Sequence, residues 1–253
     1  MSAYYFSHEI DMNAILNDGT LTISGKMSEN GYEICKHVDN IEAVKVIRFR
    51  DIDTSDATSF RGMFANLVNL EAIHGLELFN TERVYDMRHM FENCESLKEI
   101  DGVNRWNMSC VFYADSMFEN CKSLRFVNIN AWEFHGSSCD CMFKGCVNVK
   151  YIDMKNTVIY YCTYDGMFEN CTNLICVRIG AFYDHNPDGI PIDGCPDYIF
   201  KGCPNIITHD MHLETMGGGR VNEITIRFMN IAFETLMQNK CSSQSCCSCF
   251  YWL

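Results

Sequence analysis

Residues 90–100 read MFENCESLKEI, and the fold is decided by how often that string returns. It recurs as MFANLVNLEAI (63–73), MFENCKSLRFV (117–127), MFKGCVNVKYI (142–152), MFENCTNLICV (167–177) and, degenerately, IFKGCPNIITH (199–209). Successive copies start 27, 27, 25, 25 and 32 residues apart. Self-similarity at that period marks a solenoid, in which one supersecondary unit buries its apolar face only by stacking on the next.

Each column of the repeat has a physical reading. The first two hold Met-Phe, and burying one such side chain stabilises by roughly 1.5–3 kcal/mol. A column of that weight, repeated in coil after coil, is core. The fourth holds Asn66, Asn93, Asn120, Gly145, Asn170 and Gly202. Asn and Gly share tolerance of the left-handed region, where short helices end, so the column predicts a helix of one to two turns stopping there. Asp86, Asp115, Asp140 and Asp165 stand just before or within its first turn, where carboxylates suit unpaired N–H groups.

The fifth column holds Leu67, Cys94, Cys121, Cys146, Cys171 and Cys203. A cysteine ladder invites a metal or disulfide reading, but Leu67 in the same place favours a small buried hydrophobe. The seventh column (Asn69, Ser96, Ser123, Asn148, Asn173, Asn205) is fit to bond neighbouring backbone at a turn. Columns eight and eleven are aliphatic, and Ile129, Met154 and Ile179 follow two residues on. That alternation is a strand pattern. Each coil is expected to be a short helix, a tight turn, a short strand and a return segment, with strands of successive coils stacked in parallel at about 4.8 Å.

These residues resemble the BspA-like leucine-rich repeat family, whose repeat runs Phe-Asp-Thr-Ser-Asn-Val-Thr-x-Met-x-x-Met-Phe-x-x-Cys-x-Ser-Leu-x-x-Leu. Phe79-Asn80-Thr81 leads through Val84, Asp86 and Met87 to Met90-Phe91, Cys94, Ser96 and Leu97. Asp53-Thr54-Ser55-Asp56 leads through Thr58 to Met63-Phe64. The match covers about residues 50–180, and 199–209 more loosely. The resemblance implies a leucine-rich-repeat solenoid with a binding role, often adhesion or surface contact, and it brings no catalytic residues. Trp106 to Ser109 and Trp132 to Cys139 depart from its pattern.

Asp and Glu number 33 against 20 Lys and Arg, a net charge of −13. That disfavours nucleic acid and anionic membrane, which need a basic face, and favours a basic protein partner or a cation. The start, MSAYYFSHEIDMN, has neither a basic end nor an apolar stretch of the secretory kind, and no run of apolar residues is long enough to span a bilayer. Sixteen cysteines then read as free thiols in a reducing compartment. The expected location is cytoplasmic or host-intracellular, with the cell surface of the family resemblance as the alternative.

The chain divides into an N-terminal cap (1–50), repeats (51–209, carrying a Pro-rich insertion at 180–198), a C-terminal cap (210–240) and a Cys-rich tail (241–253). In the first cap, His8 to Leu16 is expected as a helix stopped by Asn17-Asp18-Gly19. Leu21 to Ser24 is expected as a strand, Gly31 to Val38 as a helix and Ala43 to Phe49 as a strand. In the second, a strand at Ile224 to Phe228 precedes a helix.

Few constellations carry chemistry. Asp184, Asn186, Asp188 and Gly189 form the first half of a calcium loop, with Asp193 as a substitute ligand. A turn built from the same residues is the plainer reading, so no cofactor is expected and calcium is the alternative. His209 and His212 lack a third ligand for zinc. Cys246 and Cys247, beside Phe250 to Trp252, are candidates for lipidation. No nucleophile elbow, Walker loop or dinucleotide fingerprint occurs, so the chain is expected not to be an enzyme.

The best candidate site is the outward face of the strands. Alternation turns Glu99, Asp101, Phe126, Asn128, Tyr151, Asp153, Cys176 and Arg178 away from the core. Aromatics amid polar groups resemble an interface centre with its rim. The expectation is therefore an α/β leucine-rich-repeat solenoid of about six coils, capped at both ends, with strands on one face and short helices on the other. It would be a non-enzymatic scaffold that binds protein through the strand face. The alternative is a membrane-tethered surface adhesin with a lipidated tail and a calcium loop.

Overall fold

A computed structural model describes residues 2–5, 12–27, 34, 38–135, 138–160, 162–184, 199–206 and 222–223, of which 2–5, 158–160, 178–184 and 222–223 by backbone alone. The phenylalanines of the repeat form one spine. Rings of Phe64, Phe91, Phe118, Phe143, Phe168 and Phe200 stack with successive centroids 5.1, 5.1, 5.1, 5.6 and 5.3 Å apart, no pair tilted by more than 11°. Phe64 through Phe168 are wholly buried. A second stack runs Phe79–Trp106–Trp132 at 6.2 Å per step. The two return segments that break the repeat pattern thus keep an aromatic in register. Their indole N–H groups donate to the carbonyls of Leu76 and Val103 one coil back, so the bulk is buried without an orphan donor.

The molecule is a β-solenoid of about six turns, and the α/β expectation is wrong. Among the described residues no helix occupies the first five cassettes; single 3₁₀ turns stand at Ile41–Ala43, Leu76–Leu78 and Val103–Arg105. The backbone shows why. Met87, His89, Phe91 and Asn93 donate their N–H groups to Tyr113, Asp115, Met117 and Glu119 of the next coil, while Met90, Glu92 and Cys94 donate three residues back. Alternate amides therefore leave the coil, as in a strand, whereas a helix would keep all of them four residues back. Two left-handed residues per cassette enforce the pattern: Asn93 (φ 58°) and also His89 (φ 59°). The column of His89 holds Gly62, Ser116, Cys141 and Gly166, all at positive φ. With only two glycines among its five residues, the column gives no sign of it in the sequence.

Among the described residues ten strands follow in chain order: β1 (Ser2–Tyr5), β2 (Met12–Asn17), β3 (Thr20–Lys26), β4 (Val46–Asp53), β5 (Ala72–His74), β6 (Phe126–Asn128), β7 (Glu133–His135), β8 (Tyr151–Tyr160), β9 (Cys176–Asp184) and β10 (Asn222–Glu223). Met12–Asn17 is a strand and not the end of a helix, its burial alternating strictly. Asp18 (φ 44°) and Gly19 (φ 72°) make the two-residue turn that pairs Asn17 with Thr20. Of the helix expected at Gly31 to Val38, only Ile34 and Val38 are described, both buried.

One sheet runs β1-β2-β3-β4-β5, and a second runs β10-β9-β8-β6 with β7 also on β8. The first three strands are antiparallel and β3-β4-β5 parallel; β6, β8 and β9 are parallel. The expected continuous stack is interrupted: Glu99–Asp101, the strand position of the coil between β5 and β6, is not paired as a strand. On another face, single bridges link Ser59, Asp86, Tyr113, Ser138 and Thr163 in sequence.

Side chains repeat their own ladders. The thiols of Cys94, Cys121, Cys146, Cys171 and Cys203 each donate to the carbonyl of a phenylalanine one coil back (Phe64, Phe91, Phe118, Phe143, Phe168) at 2.9–3.1 Å. Burial, then neighbouring Cys146, pushes the Cys121 thiol well above its ordinary range, which keeps the proton that it donates. The Asn93 amide donates to Asn66 and that of Asn120 to Asn93. That ladder stops at Gly145, where a Cβ would lie 2.4 Å from Asn120 Oδ1. In the seventh column the amides of Asn69, Asn148, Asn173 and Asn205 bond carbonyls of the preceding coil, at 2.8–3.0 Å.

Candidate functional site

The strand face carries three parallel rows, set by register. Phe126 pairs with Tyr151 and Cys176, and Asn128 with Asp153 and Arg178. Beside them, backbone bonds join Lys98 to Arg125 and Arg125 to Lys150, which makes the ninth column of the repeat the third row.

Where β5 and β6 fail to meet, a groove of about 1070 Å³ opens. Its walls include Glu99, Asp101, Phe126 and Asn128, four of the residues expected there, with His74, Glu77, Arg105 and Arg125 from adjoining segments. Gly102 (φ 87°) also lines it, and a Cβ there would come within 2.6 Å of the Glu77 amide nitrogen. The coils after the break approach each other at that point.

A second hollow of about 580 Å³ adjoins it and shares Lys98, Arg125 and Phe126. Lys150, Tyr151, Ser123 and Asn148 complete its lining. Phe126, 36% exposed, is thus the common wall of both depressions. Glu99 and Asp101 are exposed, and Tyr151, Asn128 and Asp153 half-buried.

Two expectations about the face need correction or restriction. Cys176, placed outward by alternation, is 1% exposed, so the outward aromatic row ends at Tyr151. Asp153 lines neither depression, and Arg178 is described by backbone alone, opposite Asp153. Asp184 ends β9 opposite Asn222. Asn186, Asp188, Asp193, His209, His212, Cys246 and Cys247 lie outside the described residues. Among the described residues no group of three or more His, Cys, Asp and Glu is placed to hold a metal, and no helix is long and apolar enough to cross a membrane.

Sequence reasoning missed an aromatic patch on the bridge face. Tyr85, Phe112 and Tyr113 are 45%, 52% and 42% exposed, on coils joined by the Phe112 and Tyr113 amides donating to Tyr85. Arg88 grips Asp86 through Nε and Nη2 (3.0 and 2.6 Å) and covers the Tyr113 ring at 4.5 Å. The hydrogen bond to Asp86 is the main reason that the guanidinium is held above its ordinary range. The signal was present: Val84 and Val111 are core, so their successors turn outward.

Stacked coils with an aromatic spine and short parallel strands define a leucine-rich-repeat-like solenoid. Residues 33–157, just under half of the chain, match the family described as "Mycoplasma protein of unknown function, DUF285". No curated protein matches the chain. Two solved structures are similar to it. A leucine-rich cell surface protein from Faecalibacterium prausnitzii is 17% identical, with a TM-score of 0.38 over 75% of this chain and 60% of that one. A leucine-rich repeat protein from Eubacterium ventriosum is 13% identical, with a TM-score of 0.32 over 81% and 77%.

Proposed function

We propose that the protein is a non-enzymatic scaffold that captures a polypeptide segment on its strand face, with Phe126 and Tyr151 as anchors. The observation that carries this reading is the pair of depressions sharing the exposed Phe126 ring. An aromatic ring that is large, stiff and partly exposed between polar walls suits an interface centre. The cassette's likeness to BspA-like repeats supports a binding role for the same face, since solenoids display ligands across adjacent coils.

The test is selection of peptides from a displayed random library on the immobilised protein. Wild type is expected to enrich a family of sequences that F126A/Y151A does not enrich, while thermal unfolding of the variant stays close to that of wild type. Equal enrichment by the variant moves binding elsewhere, the Tyr85–Phe112 patch being the next surface to examine. No enrichment by wild type rejects peptide capture.

A further inference from the structure

The smaller hollow has a charge at odds with the rest of the chain. The protein carries a net charge of −13, yet this depression is lined by three cations and no carboxylate. Lys98, Arg125 and Lys150 stand on consecutive coils, bonded backbone to backbone. Several cross-coil ion pairs alternate in sign: Glu71 with Lys98, Glu95 with Lys122, and Lys144 with Glu169 and then Lys201. The ninth column abandons that alternation after Lys98. Lys98 has Glu71 at 2.5 Å on its far side, whereas Arg125 and Lys150 form no ion pair among the described residues. Like charges in adjacent coils repel, and a bound anion would relieve that repulsion.

We propose that the hollow binds an acidic peptide segment, two or three carboxylates lying along Lys98–Arg125–Lys150 and an adjacent apolar side chain packing on Phe126 and Tyr151. This rests on the peptide-capture reading above and names its partner, whose charge is opposite to the one that the overall composition favours. Long-range repulsion acts over distances beyond the Debye length of about 8 Å only weakly at physiological salt, so the local row decides the short-range choice. Three coils at about 4.8 Å per step give a cationic row of about 10 Å, which matches a few carboxylates. It is too short for a nucleic acid or another long polyanion, whose remaining charges would meet the acidic surface. Ser123 and Asn148, which also line the hollow, offer further hydrogen bonds to the peptide or its carboxylates. The planar Arg125 fork suits a carboxylate in two-point contact.

Fluorescence anisotropy with three labelled octapeptides tests this. Each carries one central Leu-Phe pair, flanked by Asp/Glu, by Asn/Gln or by Lys/Arg. The acidic peptide is expected to bind at least about tenfold more tightly than the amide peptide, the basic one weakest. R125A/K150A should cost the acidic peptide about tenfold more than it costs the amide peptide, and added salt should erode the difference. Equal binding of acidic and amide peptides by wild type, equal loss of both in R125A/K150A, or preference for the basic peptide overturns the inference while leaving peptide capture standing. Absence of binding by all three, alongside no enrichment from the displayed library, rejects the capture reading itself. A single-stranded oligonucleotide that binds as tightly as the acidic peptide overturns the choice of a peptide.

Discussion

Replacing Phe118 by alanine is the sharpest test of the spine. Its ring is wholly buried and sits between Phe91 and Phe143 at 5.1 Å on each side, tilted from them by 2° and 3°. Truncation removes most of a buried aromatic and leaves both neighbours facing a void that the stiff coils cannot close, a loss of about 3–5 kcal/mol. Against a total stability of about 5–15 kcal/mol, that is about a fifth or more. Phe200, 8% exposed and stacked on Phe168, has less to lose, about 1.5–3 kcal/mol, so F200A should be the milder variant. The pairwise part is separable. F118A/F143A removes a shared stack, so the double variant should cost less than the sum of its parts by about 0.5–1.5 kcal/mol. F91A/F168A, three coils apart, should add within about 0.5 kcal/mol. Urea unfolding followed by the fluorescence of buried Trp106 and Trp132 reads each value. A loss below about 1 kcal/mol for F118A, on the scale of surface substitutions, would refute the stacked core.

Other consequences follow from the ladders. Gly145 (φ 71°) leaves room for the Asn120 amide, so G145A should destabilise by about 1–3 kcal/mol, combining left-handed strain with a Cβ placed 2.4 Å from Asn120 Oδ1. N120G removes the clash, and in that background G145A should cost only the backbone part, about 1 kcal/mol; equal costs in both backgrounds would contradict the geometry. Glu169 bonds Lys201 at 3.0 Å and Lys144 at 3.4 Å, tying three coils together. The Lys201 hydrogen bond, ahead of the Lys144 contact and against the cost of burial, holds its carboxyl below the ordinary 4.5. A depressed folded pKa means that the contribution is full above 4.5 and disappears as pH falls through the lower folded value. The stability gap between wild type and E169Q should therefore narrow as pH falls below the ordinary 4.5, and a gap that widens with acid would contradict the sign.

Some of this architecture was legible in the residues and some was not, for reasons that differ by column. Met-Phe, Cys and the aliphatic pair were readable because burial demands the same chemistry in every coil. The helix was misread because Asn93 and its equivalents gave one left-handed position, while the second, at His89, Ser116 and Cys141, is occupied by residues without a shared preference. Neighbouring coils hold that conformation by taking every other amide. Ala14 and Ile15 were misassigned for a related reason: a short apolar run before Asp18-Gly19 fits either period, and pairing with β3 decides it.

By itself the sequence determined the repeat, its register, the phenylalanine spine and the outward direction of Phe126, because each is a consequence of composition at fixed spacing. Only the tertiary structure decided that the coils are turns and strands, that the sheet parts at Glu99–Asp101, and that Lys98, Arg125 and Lys150 share one carboxylate-free hollow. Those outcomes depend on which backbone and charged groups of one coil meet those of the next. A periodic pattern aligns such groups without stating whether they bond, repel or leave a gap.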